Sequence, residues 1–135
     1  MINRLEECFT IYGNTSEVKD MGWMFNECQK LKEIKGINNF NTSEVTNMSA
    51  MFQECYELEY LNLSNFNTHN VIDMEAMFNH CHKLKEIKGI NNFDLTNVKN
   101  KNNIFNPLSS PDIVPPKDKV VTCVGCGLYQ ESSEG

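Results

Sequence analysis

An eleven-residue block, KLKEIKGINNF, occurs twice in this chain without a single change, at Lys30–Phe40 and again at Lys83–Phe93, 53 residues later. Such an identity within 135 residues indicates a chain built by duplication. A short unit cannot bury its apolar face alone, so duplicated units have to pack on one another. Internal periodicity therefore constrains the fold more strongly than any local propensity.

A looser copy lies between the two blocks, so the repeat is 26–27 residues long. Each position of the repeat keeps its residue type along the chain. The clearest columns are Val18, Val45, Val71 and Val98; Phe25, Phe52, Phe78 and Phe105; and Cys28, Cys55 and Cys81. The outer copies carry one additional residue near Gly36 and Gly89, which predicts a β-bulge with positive φ at these glycines.

Two patterns alternate within each repeat. Residues 45–52 carry apolar side chains at helical spacing, which predicts a short helix capped by Thr42 and Ser43. Leu61 and Leu63 alternate with polar residues, as in a half-buried strand. Stacked copies predict an α/β fold: a short leucine-rich-repeat-type solenoid of about four 26–27-residue repeats with a parallel strand ladder, plus an irregular C-terminal tail.

The composition divides the chain into three parts. Residues 1–107 form the predicted solenoid, whose last copy is more polar and ends at Pro107. Residues 108–119 are rich in Pro, Ser and Asp and are predicted to be a linker. Residues 120–135 form a tail with a Cys-x-x-Cys motif and a predicted short hairpin.

Charge and hydropathy exclude several classes of partner. A formal net charge of -6 argues against nucleic acid, whose binding requires a basic patch. No apolar run approaches the ~20 residues of a membrane-spanning helix. The N-terminus lacks the positive-then-apolar pattern of a signal peptide. We therefore expect a soluble chain, either intracellular or a fragment whose targeting segment lies elsewhere.

Two segments, Glu44–Thr68 and Asn70–Ile87, resemble the repeat of the BspA-like leucine-rich repeat surface proteins, a family that includes mycoplasma surface lipoproteins. Valine, Met-Phe, Cys, Leu and Phe positions fall in register in two full copies, and the resemblance covers about residues 14–107. It implies a curved α/β leucine-rich solenoid. It also implies an extracellular binding or adhesion module, at the cell surface or secreted, with no catalytic residues to transfer.

The cysteines allow several interpretations. The column Cys28, Cys55 and Cys81 is either a redox or metal ladder or a set of small buried thiols, and its Phe and Leu neighbours favour burial. Cys123 and Cys126 form CVGCG, which resembles half of a zinc site. Structural zinc requires four ligands, so a second chain, a local disulfide and a thiol-active pair remain open alternatives.

Strand residues that point away from the core define the predicted binding surface. In a leucine-rich solenoid such residues line an extended concave strand face. Their two columns begin at Glu7 and Phe9, and the candidate binding residues within them are Glu33, Lys35, Tyr60, Asn62, Glu86 and Lys88. Tyr60 is the strongest anchor candidate, because aromatic residues are enriched at binding hot spots. Trp23 is expected to be an end-cap packing residue or a contact.

Two functions follow from these observations. The first is a non-enzymatic module that binds a protein or glycan through its strand face and has no resident cofactor. The second is a scaffold whose Cys-x-x-Cys tail binds zinc or is thiol-active.

Overall fold

A computed structural model describes residues 8–10, 13–105, 121–122 and 129–130. Six short strands and two 3-10 helices lie in these ranges. The strands are β1 (Cys8–Thr10), β2 (Glu33–Lys35), β3 (Tyr60–Asn62), β4 (Glu86–Lys88), β5 (Val121–Thr122) and β6 (Tyr129–Gln130). The 3-10 helices are Ile37–Asn39 and Ile90–Asn92. β1 pairs in parallel with β2, β3 pairs in parallel with β4, and β5 pairs antiparallel with β6.

Consecutive repeats are joined by parallel hydrogen bonds along the wall that carries the Met and Phe columns. Equivalent residues of four successive repeats form parallel bridges: Asp20 to Asn47, Asn47 to Asp73, and Asp73 to Asn100. Every second N–H group in residues 21–27, 48–54 and 74–78 also bonds to a carbonyl of the following repeat. In the middle repeat, for example, the N–H group of Phe52 donates to the Met77 carbonyl at 2.9 Å. The repeats therefore stack in parallel register, each one hydrogen-bonded to the next.

The helix predicted for residues 45–52 is not formed, and the described residues contain turns there instead. Ala50 and Glu54 have φ values of 51° and 61°, in the left-handed region that interrupts a helix. In addition, alternate N–H groups bond to the next repeat rather than to a carbonyl within their own segment. The equivalent left-handed residues of the other repeats are Trp23, Glu27, Ala76, His80 and Asn103.

The threonine predicted to cap that helix joins two repeats instead. The Thr42 hydroxyl donates to the Asn67 carbonyl at 3.0 Å and accepts the Asn67 N–H at 2.8 Å. Thr68 makes the same reciprocal pair with the backbone of Asp94. Both threonines are buried, so their hydroxyls satisfy backbone groups that water does not reach.

The strand half of the repeats forms two separate two-stranded sheets rather than the single ladder predicted. β2 and β3 are in contact but belong to different sheets. In the first sheet Phe9 is opposite Ile34, and Cys8 is opposite Glu33. The predicted columns that began with Glu7 and Phe9 are therefore wrong by one residue. A one-residue slip exchanges the two faces of a strand, and in the observed register the partners of Glu33 and Lys35 are Cys8 and Thr10.

The additional residue of the outer repeats is accommodated after Gly36 and Gly89. Both glycines have positive φ, 88° and 89°, as predicted. The following residues form 3-10 helices rather than the predicted bulge. A Cβ atom on Gly89 would lie 2.5 Å from the Ser64 Cα, so the third repeat approaches the second too closely for any side chain at that position.

The repeat columns form a continuous core. Residues of the Val, Met, Phe, Cys and Leu columns are buried from Met21 to Phe105. The rings of Phe25, Phe52, Phe78 and Phe105 stack one on the next, with centroids 5.5–5.6 Å apart. Dispersion and apolar burial between neighbouring repeats thus accompany the backbone hydrogen bonds.

The predicted linker, residues 108–119, lies outside the described residues. In the tail, the antiparallel pairing of β5 with β6 is the short hairpin predicted from the sequence. The part of the chain that the structure describes holds no helix of the length and hydropathy needed to cross a membrane.

Candidate functional site

We define the strand face as the outward-pointing side chains of residues 29–35, 56–62 and 82–88. The central residue of each strand, Ile34, Leu61 or Ile87, is buried, so its two neighbours point away from the core. Each repeat contributes the same positions. Tyr60 is opposite Glu86 and Asn62 is opposite Lys88 in the paired strands β3 and β4, and β2, which carries the equivalent residues Glu33 and Lys35, is in contact with β3. All six binding residues predicted from the sequence belong to this face.

Tyr60 lies at the centre of the strand face. Its side chain is 54% exposed, and in the register of β3 and β4 it is directly opposite Glu86. Glu33 occupies the equivalent position of β2. Among the described residues the other exposed large apolar side chains are Trp23 and Ile72, and neither belongs to this face. Tyr60 is therefore an aromatic ring held in a row of carboxylates.

A row of lysine and asparagine lies next to it. Lys35 and Lys88 are exposed, and Asn62, directly opposite Lys88 in β3 and β4, is half-buried. The Asn62 Oδ1 atom accepts hydrogen bonds from the Ser64 N–H at 3.2 Å and from the Ser64 hydroxyl at 2.6 Å. The middle repeat thus uses a side chain, where the outer repeats use a glycine, to form the turn that follows its strand.

The turns that lead into the strands carry ion pairs between the middle and third repeats. Lys83 Nζ lies 2.5 Å from Glu57 Oε2, and Lys85 Nζ lies 3.0 Å from Glu59 Oε1. The hydrogen bond from Lys83 lowers the pKa of Glu57, and the hydrogen bond to Glu59 raises the pKa of Lys85. The lysines are exposed and the glutamates are partly exposed, so the pairs contribute little to stability. As a result of these ion pairs, the carboxylates of Glu57 and Glu59 in the middle repeat already have cationic partners.

A second aromatic group on the strand face was not recognised from the sequence. Tyr56 stacks on His82, with ring centroids 5.2 Å apart and an angle of 7° between the planes. His80 meets His82 edge to face at 5.6 Å. The repeat alignment carries a signal for this stack, since residues 56 and 82 occupy one column and stacked repeats bring the side chains of a column together.

Cys28, Cys55 and Cys81 are buried, and none of the three forms a disulfide bond. The Cys55 and Cys81 thiols donate to the backbone carbonyls of Phe25 and Phe52, at 3.1 and 3.0 Å. Burial raises the pKa of Cys55 well above its usual value and raises that of Cys81 to about 12. Such thiols remain protonated at neutral pH, which supports the packing interpretation over the redox one.

Metal binding has no candidate within the described ranges, where no three His, Cys, Asp or Glu side chains converge. Cys123 and Cys126 lie outside the described residues. The zinc half-site, the local disulfide and the thiol-active pair therefore all stay predictions for the tail.

Two further surface features lie away from the strand face. Trp23, expected at the end cap or in a contact, is 59% exposed, whereas the equivalent Ala50 is buried. A side groove of about 650 Å³ is lined by residues that include Thr46, Ile72 and Lys99. No sequence pattern indicated this groove. The groove amides of Asn70 and Asn97 already donate to backbone carbonyls of the preceding repeats.

The fold and the strand face define a repeat protein whose copies stack in parallel register. A family model described as "Mycoplasma protein of unknown function, DUF285" matches residues 10–113. This match spans most of the chain, and the protein belongs to that family. Searches of curated proteins and of solved structures found no significant match. The mycoplasma association predicted from the repeat motif is thus confirmed at the level of this family.

Proposed function

We propose that this protein is a non-enzymatic binding module that presents its strand face to a protein or glycan partner. The observation that carries the proposal is the exposure of Tyr60 on a strand whose central residue is locked in the core. A side chain anchored in this way loses little conformational freedom on binding, and tyrosine supplies both apolar area and a hydroxyl. The regular rows of Lys, Glu and Asn around it offer hydrogen-bonding groups at a repeating spacing.

The architecture we propose is a short solenoid of the leucine-rich type, with about four repeats and turns where helices were predicted. Inter-repeat bridges from Asp20 to Asn100 and the stacked Phe column support this proposal. Within the family shown here, the finer relationship we propose is to BspA-like surface proteins. That relationship rests on the Val, Met-Phe, Cys and Leu motif of the repeats.

The location we propose is the cell surface or the extracellular space, on the basis of the same resemblance, and an intracellular binding protein is the alternative. Protease treatment of intact cells tests this directly. Loss of the protein from intact cells, with a cytoplasmic marker preserved, supports surface exposure. Protection of the protein until the cells are lysed contradicts it.

The binding proposal is tested with the purified chain on arrays of glycans and of extracellular proteins, followed by titration of each ligand detected. Tyr60→Ala removes the exposed ring of the strand face. Ile72→Ala is the matched control, because Ile72 is also exposed and apolar but lines the side groove. We expect Tyr60→Ala to weaken binding at least about tenfold, in the range of an interface hot spot, with Ile72→Ala near wild type. Equal effects of the two variants, with both folded, would contradict the proposal.

A further inference from the structure

The orientation of the Asn62 amide is determined by its hydrogen bonds. Both donors of Ser64, the N–H and the hydroxyl, bond to one Asn62 oxygen. The Nδ2 group is therefore the arm of the planar amide that does not bond to Ser64, and it has no partner among the residues that the structure describes. Since the two hydrogen bonds from Ser64 fix the amide oxygen, the amide orientation is fixed as well. The Nδ2 group of Asn62 then offers two N–H donors on the strand face.

Lysines occupy the positions on either side of Asn62 in the neighbouring strands. Lys88 is directly opposite Asn62 on β4, about 5 Å away at Cα by the usual spacing of paired strands. Lys35 occupies the equivalent position of β2, on the other side of β3. Both lysines are exposed, and neither side chain has a hydrogen bond or an ion pair within the described ranges. We call Lys35, Asn62 and Lys88 the donor row, because its three side chains offer donors without a free acceptor.

The local charge of the strand face differs in sign from that of the whole chain. Six lysines and four glutamates lie in its three segments, which gives a net charge of +2 in a chain of net charge -6. Two of the glutamates, Glu57 and Glu59, are paired with Lys83 and Lys85. An anion is therefore attracted to this face and repelled by the remainder of the surface.

The surroundings of the donor row favour a polysaccharide over a protein surface. Protein interfaces have an apolar centre depleted of charge, whereas on the strand face Tyr60 and the Tyr56–His82 stack lie among charged side chains. Tyr60 lies in the adjacent row and offers a flat apolar surface for a sugar ring. Glu86, opposite Tyr60, offers acceptors for sugar hydroxyls. A polymer that carries both hydroxyls and negative groups satisfies all of these side chains.

We infer that the donor row of Lys35, Asn62 and Lys88 binds the carboxylate or sulfate groups of an acidic polysaccharide, whose sugar rings pack on Tyr60. This inference rests on the proposed function and specifies the partner of the same face.

The test uses the complete chain with immobilised heparin, chondroitin sulfate, hyaluronan and neutral dextran as probes. The decisive variant is Asn62→Asp. Its carboxylate oxygen accepts the same two hydrogen bonds from Ser64, so the turn is retained, but it replaces the outward donors by a negative oxygen. The second variant is Lys35→Gln with Lys88→Gln. Its matched control is Lys19→Gln with Lys99→Gln, which removes the same charge from exposed lysines elsewhere on the chain.

We expect binding to at least one acidic polysaccharide, weakening with added salt, and none to dextran. Asn62→Asp and the Lys35/Lys88 variant are each expected to weaken binding about tenfold or more, since charge-assisted hydrogen bonds are lost. The Lys19/Lys99 control is expected to stay within about twofold. Circular dichroism spectra and melting temperatures establish that each variant is folded.

Three results would overturn the inference: no binding to any acidic polysaccharide, equal loss in the Lys19/Lys99 control, or equal competition by single-stranded RNA of matched charge. A Tyr60-dependent ligand whose affinity is unchanged by Asn62→Asp would also overturn it while leaving the proposed binding function intact. Failure of Tyr60→Ala to weaken any interaction would instead count against the proposed function itself.

Discussion

The ring of Phe52 lies parallel to that of Phe78, with 5.6 Å between the centroids and 2° between the planes. The same geometry relates Phe52 to Phe25 in the preceding repeat. Phe52 therefore has a ring on each side and is completely buried. The Phe column keeps adjacent repeats aligned, because a ring can stack on both neighbouring rings only if all three repeats keep the same register.

Replacement of Phe52 by alanine is expected to lower the free energy of unfolding by about 3–5 kcal/mol through lost burial and a cavity. Chemical denaturation with a fluorescence or circular dichroism signal measures the change. Tyr60→Ala serves as the control, because its ring is exposed and its loss is expected to cost no more than about 0.5 kcal/mol. Similar destabilisation by both substitutions would contradict the assignment of the two rings to core and surface.

Replacement of Gly89 by alanine is expected to destabilise the protein for two reasons. The left-handed backbone costs a non-glycine residue about 1–2 kcal/mol, and the new Cβ would meet the Ser64 backbone at 2.5 Å. Gly13 also has positive φ, but a Cβ there meets no atom within 4 Å. Denaturation of Gly89→Ala and Gly13→Ala side by side thus isolates the steric contribution. Equal losses would show that the second and third repeats are not in close contact at Ser64.

Replacement of Thr68 by valine removes a buried hydroxyl while keeping the shape of the side chain. The Asp94 N–H and carbonyl then lose their partner, at an expected cost of about 1–3 kcal/mol. Thr46→Val is the matched control, since the exposed Thr46 hydroxyl makes a single 3.3 Å bond to the Lys19 carbonyl. A larger loss in the control would contradict the role of Thr68 in joining repeats.

The buried thiols predict a loss of stability at alkaline pH. In the unfolded chain Cys81 ionises near its ordinary value of 9.0, whereas in the folded protein its pKa is about 12. The unfolded state therefore binds fewer protons between these values, and the free energy of unfolding falls as the pH rises. Cys81→Ala is expected to show a smaller fall than wild type over this range. An identical pH dependence of the two proteins would contradict the buried environment of this thiol.

Alkylation provides an independent measurement of the same column. Peptide mapping after brief iodoacetamide treatment at neutral pH should find Cys28, Cys55 and Cys81 unmodified in the native protein and modified in denaturant. Rapid native labelling of Cys55 or Cys81 would show that their thiols are accessible and ionised, against the hydrogen bonds to Phe25 and Phe52.

The burial of most repeat positions was predictable, because the same type of residue occurs at a given position in several repeats and indicates the same environment each time. Phe52, Leu61 and Cys81 were assigned to the core from their columns, and all three are buried. Strand β3 includes the predicted alternation around Leu61. The burial pattern is thus encoded by residue type at each repeat position.

The backbone conformation of the Met and Phe wall was not predictable in the same way. Residues 45–52 have apolar side chains at intervals that fit a helix, and the same intervals fit a series of turns. The difference lies in Ala50 and Glu54, whose positive φ values carry no sequence signature comparable to glycine. The gain from hydrogen bonds to neighbouring repeats outweighs local helical preference, and a single repeat gives no information about such bonds.

The strand face was predicted in composition but not in its internal partners. Glu33, Lys35, Tyr60, Glu86 and Lys88 are all exposed, as their outward positions required. The bond from Ser64 that orients Asn62 could not be read from the repeat, since the outer copies have glycine and a 3-10 helix at that point. The middle repeat, which lacks the duplicated KLKEIKGINNF block, is therefore the repeat in which a hydrogen-bond donor, the Asn62 amide, is oriented by its neighbour.

Because the N–H groups of each repeat bond to equivalent carbonyls of the next, every internal junction in the stack is chemically the same kind of junction. Recombination or slippage in the gene can insert or remove a whole repeat. The repeats that then become neighbours can form the same hydrogen bonds as the original neighbours. Loss of one residue within the Met and Phe wall instead misaligns the donors that follow it in that repeat, whereas the turn after the strand accommodates one residue more or less, as in the repeats of 26 and 27 residues. Chains of this family are thus expected to vary in length by whole repeats, and each added repeat extends the strand face by one more row.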